Sequence, residues 1–335
     1  RIDEGRVEAI DELELAMLQF NCFDSPSPWM VDRWFRNLLT DLTGNTHRSE
    51  ICMDKLFSPD SSTGRLGLIE FRGFEMPPHA EMSLVQQLLV RAILLMLWEK
   101  PYTAKLKRHG AALHDRYLLP MVVRDDFSEV LHELKLSGIG FKESWFNSQF
   151  EFRFPVAGTV KVDQTIIELR QAIEPWNVLG EEPAAGGTAR SVDSSLERLQ
   201  VTVKNFDPEK VALSVNGYRL PLKQWSGDTY FIGLKYRAWQ PPHCLHPAIP
   251  VHAPLSFDLV NIENEKALGG CCYYTSHPGG AAYETRPVNA LAAEARRKER
   301  FTTFGHTSGR MKLKSLPDVV QHRYTVDLRL ASLLP

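Results

Sequence analysis

The feature that most constrains this chain is a recurring Glu-apolar-Arg triplet. It appears as Glu70-Phe71-Arg72, Glu151-Phe152-Arg153 and Glu168-Leu169-Arg170. Side chains alternate along an extended backbone, so each triplet puts its carboxylate and guanidinium on one face and its apolar residue on the other. Three such segments predict a sheet with one greasy face and one face carrying ionic groups. The greasy face needs a second layer. The most apolar helical run, Ser83 to Trp98, is the expected cover.

Helical periodicity predicts helices over Val7 to Phe20, from Pro28 through Leu38 with Ser27 as cap and Gly44 as stop, and over Phe127 to Lys135 with Asp125 or Asp126 as cap and Gly138 just after. Arg48 to Asp54 reads as a strand with Arg48, Glu50, Cys52 and Asp54 on one face. Turn chemistry at Pro59 to Gly64 brings it beside the Glu70 strand. Trp145 to Val156 and Val160 to Leu169 read as a hairpin around Ala157-Gly158-Thr159. Ala184 to Thr188 reads as a flexible linker.

Beyond it come short strand-like runs: Leu199 to Val203, Val211 to Val215, Tyr218 to Leu222, Tyr230 to Tyr236, Ser256 to Val260 and Gly270 to Thr275. Asn216-Gly217 is the strongest hairpin signal among them. A helix capped by Asn289 and an extended C-terminal arm follow. The fold class is therefore α+β: an antiparallel sheet covered by helices, followed by an all-β, sandwich-like module. The expected divisions are 1–182, a linker at 183–192, the β-rich module at 193–287, and helix plus arm at 288–335.

Net charge is −2 and charged residues make up 24%, so bulk charge gives no case for nucleic acid or an anionic membrane. The Leu84 to Trp98 run is broken by Gln86, Gln87 and Arg91, and no membrane span is expected. Five sparse cysteines without metal spacing suggest a reducing, cytoplasmic setting. The N-terminal segment carries no signal-peptide pattern. The chain opens at Arg1 amid helix-like sequence and is expected to be a piece of a longer polypeptide.

The best chemical constellation is Glu50, Asp54, Glu70, Arg72 and Glu75. Clustered carboxylates need a countercharge, which a divalent cation such as Mg²⁺ supplies through oxygen ligands. Arg72 offers a bidentate fork for phosphate or carboxylate. The bland alternative is a set of surface ion pairs, worth little. Glu168/Arg170 is favoured slightly over Glu151/Arg153 as an extension of this group. His47, His79 and Lys55 carry low weight. The His243-Cys244-Leu245-His246 loop between prolines lacks zinc spacing. Cys271-Cys272 reads as buried strand, and a Cys/His nucleophile with His277 has no signature behind it. No Walker loop, dinucleotide fingerprint or nucleophile elbow is present.

The runs Arg48 to Leu56, Ile69 to Pro78, Glu168 to Trp176, Tyr236 to Pro242 and Ser276 to Gly280 resemble a bacterial amidoligase family. Its domain is commonly fused behind a transglutaminase-like domain. The resemblance spans nearly the whole chain, Arg1 to about Gly309. It implies a glutamine-synthetase-like carboxylate–amine ligase that uses ATP and Mg²⁺, acting on a peptide or amino-acid-like substrate through an acyl phosphate. It also implies an upstream catalytic half and a transglutaminase-like domain in the same polypeptide. Carried over by matching positions, Glu50, Asp54, Glu70 and Glu168 become metal ligands. Arg72, Glu75 and Arg170 become catalytic, with Arg72 and Arg170 also holding ATP. The rival reading is a non-catalytic substrate-binding module of a transglutaminase-like protein.

Overall fold

The structure, a computed structural model, describes residues 8–40, 45–110, 112–174, 181–184, 187–190, 193, 195–238, 249–275, 285, 287–304, 308–317 and 323–331. The His243 to His246 loop, the His277 to Gly280 turn and the proposed stop at Gly44 lie outside these residues. Packing divides the chain into two units, Arg1–Leu113 with Leu131–Phe146, and His114–Val130 with Asn147–Pro335.

In the first unit, α1 (Ala9–Phe20) packs on α2 (Pro28–Phe35) through Phe20, whose ring meets Trp34 and Phe35 edge-on at 6.4 and 5.3 Å. Ser27 stands at the N-cap of α2 and Pro28 at its first position, where a missing N–H costs nothing. Strand β1 (Ile51–Cys52) pairs antiparallel with β2 (Glu70–Phe71), as the turn chemistry between them predicts. These are two-residue strands, so this ribbon is no broad sheet.

Helix α3 (Ala80–Glu99) begins where His79 Nδ1 accepts from the Glu81 N–H at 3.3 Å, which makes His79 a cap. Its buried residues are Met82 and Ala92, while Leu84, Leu88, Leu94, Leu95 and Trp98 are exposed. It is therefore not the buried cover that its composition suggests. By length and composition it is also apolar enough to cross a membrane, because a helix tolerates a few interruptions such as Gln86, Gln87 and Arg91.

Helices α4 (Ala112–Arg116), α5 (Pro120–Leu136) and α6 (Asn147–Arg153) follow. Helix α5 starts seven residues before Phe127, at a proline whose fixed φ suits a first turn. The Glu151-Phe152-Arg153 triplet lies in α6 and is not a strand. Its aromatics answer a helical demand, since Phe150 packs on Phe127 at 6.0 Å and on Phe154 at 6.2 Å.

The second unit is built on two sheets. Strands β3 (Val156–Val162) and β4 (Thr165–Gln171) form a hairpin that turns at Asp163-Gln164, with Asp163 at φ 51°, rather than at Gly158. Gly158 sits in a bulge, where an added Cβ would lie 2.1 Å from the Phe301 ring. Residues expected to be a loose linker form a ribbon, β5 (Glu181–Ala184) with β6 (Gly187–Arg190). Next come β7 (Leu196–Lys204), β8 (Val211–Val215), β9 (Tyr218–Arg219), β10 (Lys223–Ser226), β11 (Thr229–Arg237), β12 (Leu255–Asn261) and β13 (Lys266–Tyr273). Helix α7 (Ala290–Lys298), β14 (Phe301–Thr302), β15 (Gly309–Arg310), β16 (Thr325–Asp327) and α8 (Leu328–Ala331) close the chain.

One sheet runs β10-β11-β7-β4-β3, with β16 parallel on β11; the other runs β14-β13-β12-β8-β9, with β15 on β13. The first sheet thus joins strands from both sides of the ribbon at 181–190, because β4 pairs with β7. The expected C-terminal arm contributes β16 to this sheet. The β8–β9 turn places Asn216 at φ 48° and Gly217 at φ 84°, the left-handed pair of a tight hairpin. Asn289 caps α7, its side chain accepting from the Ala292 N–H at 2.9 Å.

The core lies between the sheets. Ile167, Leu169, Leu199, Val201, Val203, Ile232 and Leu234 face Leu213, Val215, Phe257, Leu259 and Cys271. The whole is α+β, helices with antiparallel and mixed sheets. Leu169 is fully buried. Leu169→Ala should lower the unfolding free energy by about 2–5 kcal/mol, through lost burial and a residual cavity, measured by urea denaturation.

Candidate functional site

The reverse face of the first sheet is polar. By register, Arg170 and Glu168 of β4 stand opposite Gln200 and Thr202 of β7, and Lys235 of β11 stands opposite Arg198. The greasy-and-ionic sheet expected from the triplets therefore exists here, and one triplet, Glu168-Leu169-Arg170, lies in it. The first turns of α5, together with α6, stand over this face. They enclose a groove of about 500 Å³ lined by Arg124, Glu151, Glu168, Arg170, Gln200 and Lys204, among others.

Within the groove Arg170 bridges two carboxylates. Its Nε donates to Glu168 Oε1 at 3.1 Å, and an Nη donates to Glu151 Oε1 and to the Phe154 carbonyl, each at 2.7 Å. Burial pulls the Arg170 pKa down, but the Glu151 and Glu168 carboxylates outweigh it and raise it above the ordinary value. Gln200 is buried and accepts the Met121 N–H at 2.9 Å, which ties the first turn of α5 to the sheet. Its amide donates to Thr202 Oγ1 at 3.1 Å. Arg124 lies 5.5 Å from the Phe150 ring centroid and donates to Asn147 at 3.2 Å. Arg124 and Lys204 are exposed.

Along the same face lies a buried ionic knot. Arg198 donates to Glu174 Oε1 at 2.6 Å, and Lys235 Nζ is 3.5 Å from Glu174 Oε2. Asp115 accepts the N–H groups of Tyr324 and Thr325 at 3.1 and 2.9 Å, which anchors the strand that runs beside β11. Glu197 is pushed up to about 7, by burial first and by the Glu174 charge next, while Arg300 pulls it back.

The remaining predicted residues, Glu50, Asp54, Glu70, Arg72 and Glu75, all lie in the first unit, whereas Glu168 and Arg170 lie in the second. Glu70 Oε1 is 3.0 Å from Arg72 Nε, the pair expected within one triplet. The Arg72 N–H donates to the Glu50 carbonyl at 2.8 Å, and the Arg72 side chain donates to the His47 carbonyl. Asp54 accepts from Thr46 Oγ1 at 2.8 Å and lies 3.4 Å from His47 Nε2. Glu50 and Glu75 are exposed. Cys271 and Cys272 are buried strand residues, and burial pushes Cys271 up to about 12.

Reasoning from the triplets missed Arg124, Arg198, Gln200, Thr202 and Lys204. Four of these carried a signal: Arg198-Leu199-Gln200-Val201-Thr202-Val203-Lys204 alternates strictly, with polar residues at even numbers. Arg124 carried none, since its place depends on where α5 begins.

The site thus belongs to an α+β protein whose main sheet has one apolar face in a sandwich core and one acid–base face under helices. Residues 1–329 match the family described as "Putative amidoligase enzyme (DUF2126)", and the chain belongs to that family. No curated protein and no solved structure matches it.

Two predictions follow from this electrostatics. Glu174→Gln leaves Arg198 buried without its carboxylate and should cost about 3–5 kcal/mol, the usual penalty for breaking a buried pair, read by chemical denaturation. Glu197 holds its proton more tightly folded than unfolded, where 4.5 is the ordinary value. The stability it contributes is complete below that value and lost as pH rises through about 7. The melting temperature should therefore fall over this window, and Glu197→Gln should flatten that part of the profile.

Proposed function

We propose that this chain is part of an ATP-dependent carboxylate–amine ligase, and that the groove over the first sheet binds an anionic group of its substrates. The observation that carries this is the juxtaposition of Arg124, Arg170, Lys204, Glu151 and Glu168 in one groove of about 500 Å³. The family description supports the ligase class.

The donor set fits magnesium and nucleotide. Glu151 and Glu168 each give one oxygen to Arg170, and carboxylate oxygens are the donors a hard cation takes. Exposed Arg124 and Lys204 suit phosphate. ATP with Mg²⁺, when bound, supplies the phosphoryl group that activates a carboxylate for attack by an amine.

The chain's own residues do the placing. Arg170 is held in one orientation by two carboxylates, so its position costs no reorganisation when an anion arrives. Arg124 braces on Phe150 and Asn147 and turns its charge toward the groove's anion. Glu151 and Glu168 repel a misplaced carboxylate and leave oxygens for a cation. In the first unit, Glu50, Asp54, Glu70, Arg72 and Glu75 are proposed to serve ligase chemistry, with Glu50, Asp54 and Glu70 as metal ligands and Arg72 and Glu75 as catalytic residues. The substrate is proposed to be peptide or amino-acid-like, met in the cytoplasm by a polypeptide that also carries an upstream catalytic half and a transglutaminase-like domain.

A second reading, a substrate-binding module without chemistry, draws on one observation. Arg170 pairs with both Glu151 and Glu168, so each carboxylate in this part of the groove has a partner without a metal.

The full-length polypeptide decides between them. Ligase function predicts ATP hydrolysis that depends on a carboxylate substrate, abolished by Glu70→Gln. Arg124→Ala combined with Lys204→Ala should raise the KM for ATP about tenfold or more, the scale of lost charge-assisted hydrogen bonds. A melting temperature that Mg²⁺-ATP leaves unchanged supports the binding module, since a ligand of the native state must raise it.

A further inference from the structure

The first unit contains a ligand set that the ligase reading does not use as a set. His47 Nε2 or Nδ1, Cys52 Sγ and a carboxylate oxygen of Asp54 all lie within 4.8 Å of one another. The β1–β2 ribbon produces this grouping. Cys52 is buried at the end of β1, opposite Glu70, and the chain turns immediately so that Asp54 comes back beside its side chain. His47 arrives from the short helical turn Thr46–Arg48, just ahead of the ribbon.

We propose that His47, Cys52 and Asp54 form a binding site for a borderline-soft divalent cation of the zinc type, with the fourth position open. Three observations beyond proximity support it. First, the donors are one nitrogen, one sulfur and one oxygen, a mixture that suits zinc and that magnesium, with its preference for oxygen, does not take. Second, Asp54 Oδ1 is buried with no hydrogen bond, an orphaned acceptor of the kind a bound ion explains. Arg36 Nε stands 3.7 Å from it, beyond hydrogen-bond reach, and donates to buried Asp32 at 2.9 Å instead. Third, Asp54 is already oriented, because Thr46 Oγ1 donates to its other oxygen at 2.8 Å. Such outer partners hold a ligating carboxylate in place.

A cysteine thiol must lose its proton to become a thiolate ligand. Metal binding therefore exchanges one proton: the S–H bond breaks, a metal–sulfur bond forms, and the proton leaves to solvent with no change of oxidation state. Thiolate and carboxylate together carry two negative charges, which the cation cancels. The site lies in the first unit, and the groove lies in the second. It reassigns Asp54 from a magnesium ligand shared with Glu50 and Glu70 to a ligand shared with His47 and Cys52.

The test uses the full-length protein, stripped of metal and titrated with Co²⁺ and with Zn²⁺ against a competing chelator. One equivalent of Co²⁺ should bind and show thiolate-to-cobalt charge-transfer absorption. Zn²⁺ should displace it, and Mg²⁺ at the same concentration should not. Cys52→Ser should abolish that absorption, and His47→Ala, whose ring is 57% exposed, should weaken binding about tenfold or more while the protein keeps its melting temperature without metal. Absence of charge transfer in the wild type, its persistence in Cys52→Ser, or unchanged affinity in His47→Ala overturns the proposal. If Cys52→Ser fails to fold, the His47→Ala result alone decides. Calorimetry of proton release in two buffers separates binding at a thiol from binding at carboxylates alone.

Discussion

Strand β7 is the constraint on which the second unit depends. It is buried on both faces at once: Leu199, Val201 and Val203 enter the sandwich core, while Arg198, Gln200 and Thr202 are buried among polar partners on the other side. A slip of one residue would exchange every one of these environments. It would place guanidinium and amide in hydrocarbon, and valine against carboxylate, so the register is fixed from two directions. Neighbouring β4 and β11 inherit that register, and with it the positions of Glu168, Arg170 and Lys235.

A buried polar face of this kind gains little net stability, because desolvation offsets most of the attraction between its charges. What it contributes is placement. Glu174 bridges Arg198 and Lys235, Asp115 fixes the strand containing Thr325, and Gln200 holds the start of α5. Side chains that line a groove on such a foundation keep their geometry before any ligand arrives. That preorganisation is what the proposed ligase chemistry needs, and it separates this face from exposed ion pairs such as Arg310 with Glu265.

Much of the sandwich was legible in the chain itself. Alternation located β8, β11, β12 and β13, Asn216-Gly217 located a hairpin, and Asn289 located the start of α7. The misreadings share a cause. Glu151-Phe152-Arg153 has strand-like alternation, yet Phe150 finds Phe127 and Phe154, and those aromatic contacts favour a helix. Short apolar runs carry both periods, and only their partners arbitrate. The stretch around Ala184 and Thr188 looks like a linker by composition, but backbone pairing is indifferent to side-chain size and joins Glu181–Ala184 to Gly187–Arg190 as a ribbon. Of the candidate residues, Glu168 and Arg170 were legible together with their face. The cluster of His47, Cys52 and Asp54 was not, because it mixes a helical turn with a strand end, and no single period joins them.

Local chemistry determined most of the sandwich strands, the Asn216-Gly217 turn and the face that Glu168 shares with Arg170, since these follow from backbone sterics and side-chain alternation within a few residues. Tertiary structure decided which strands are neighbours. It paired β4 with β7 across the ribbon, recruited the C-terminal segment as β16, and set Arg124 over Glu151, Glu168 and Arg170. Those choices depend on burying area and neutralising charge over distances in the chain that no local pattern records.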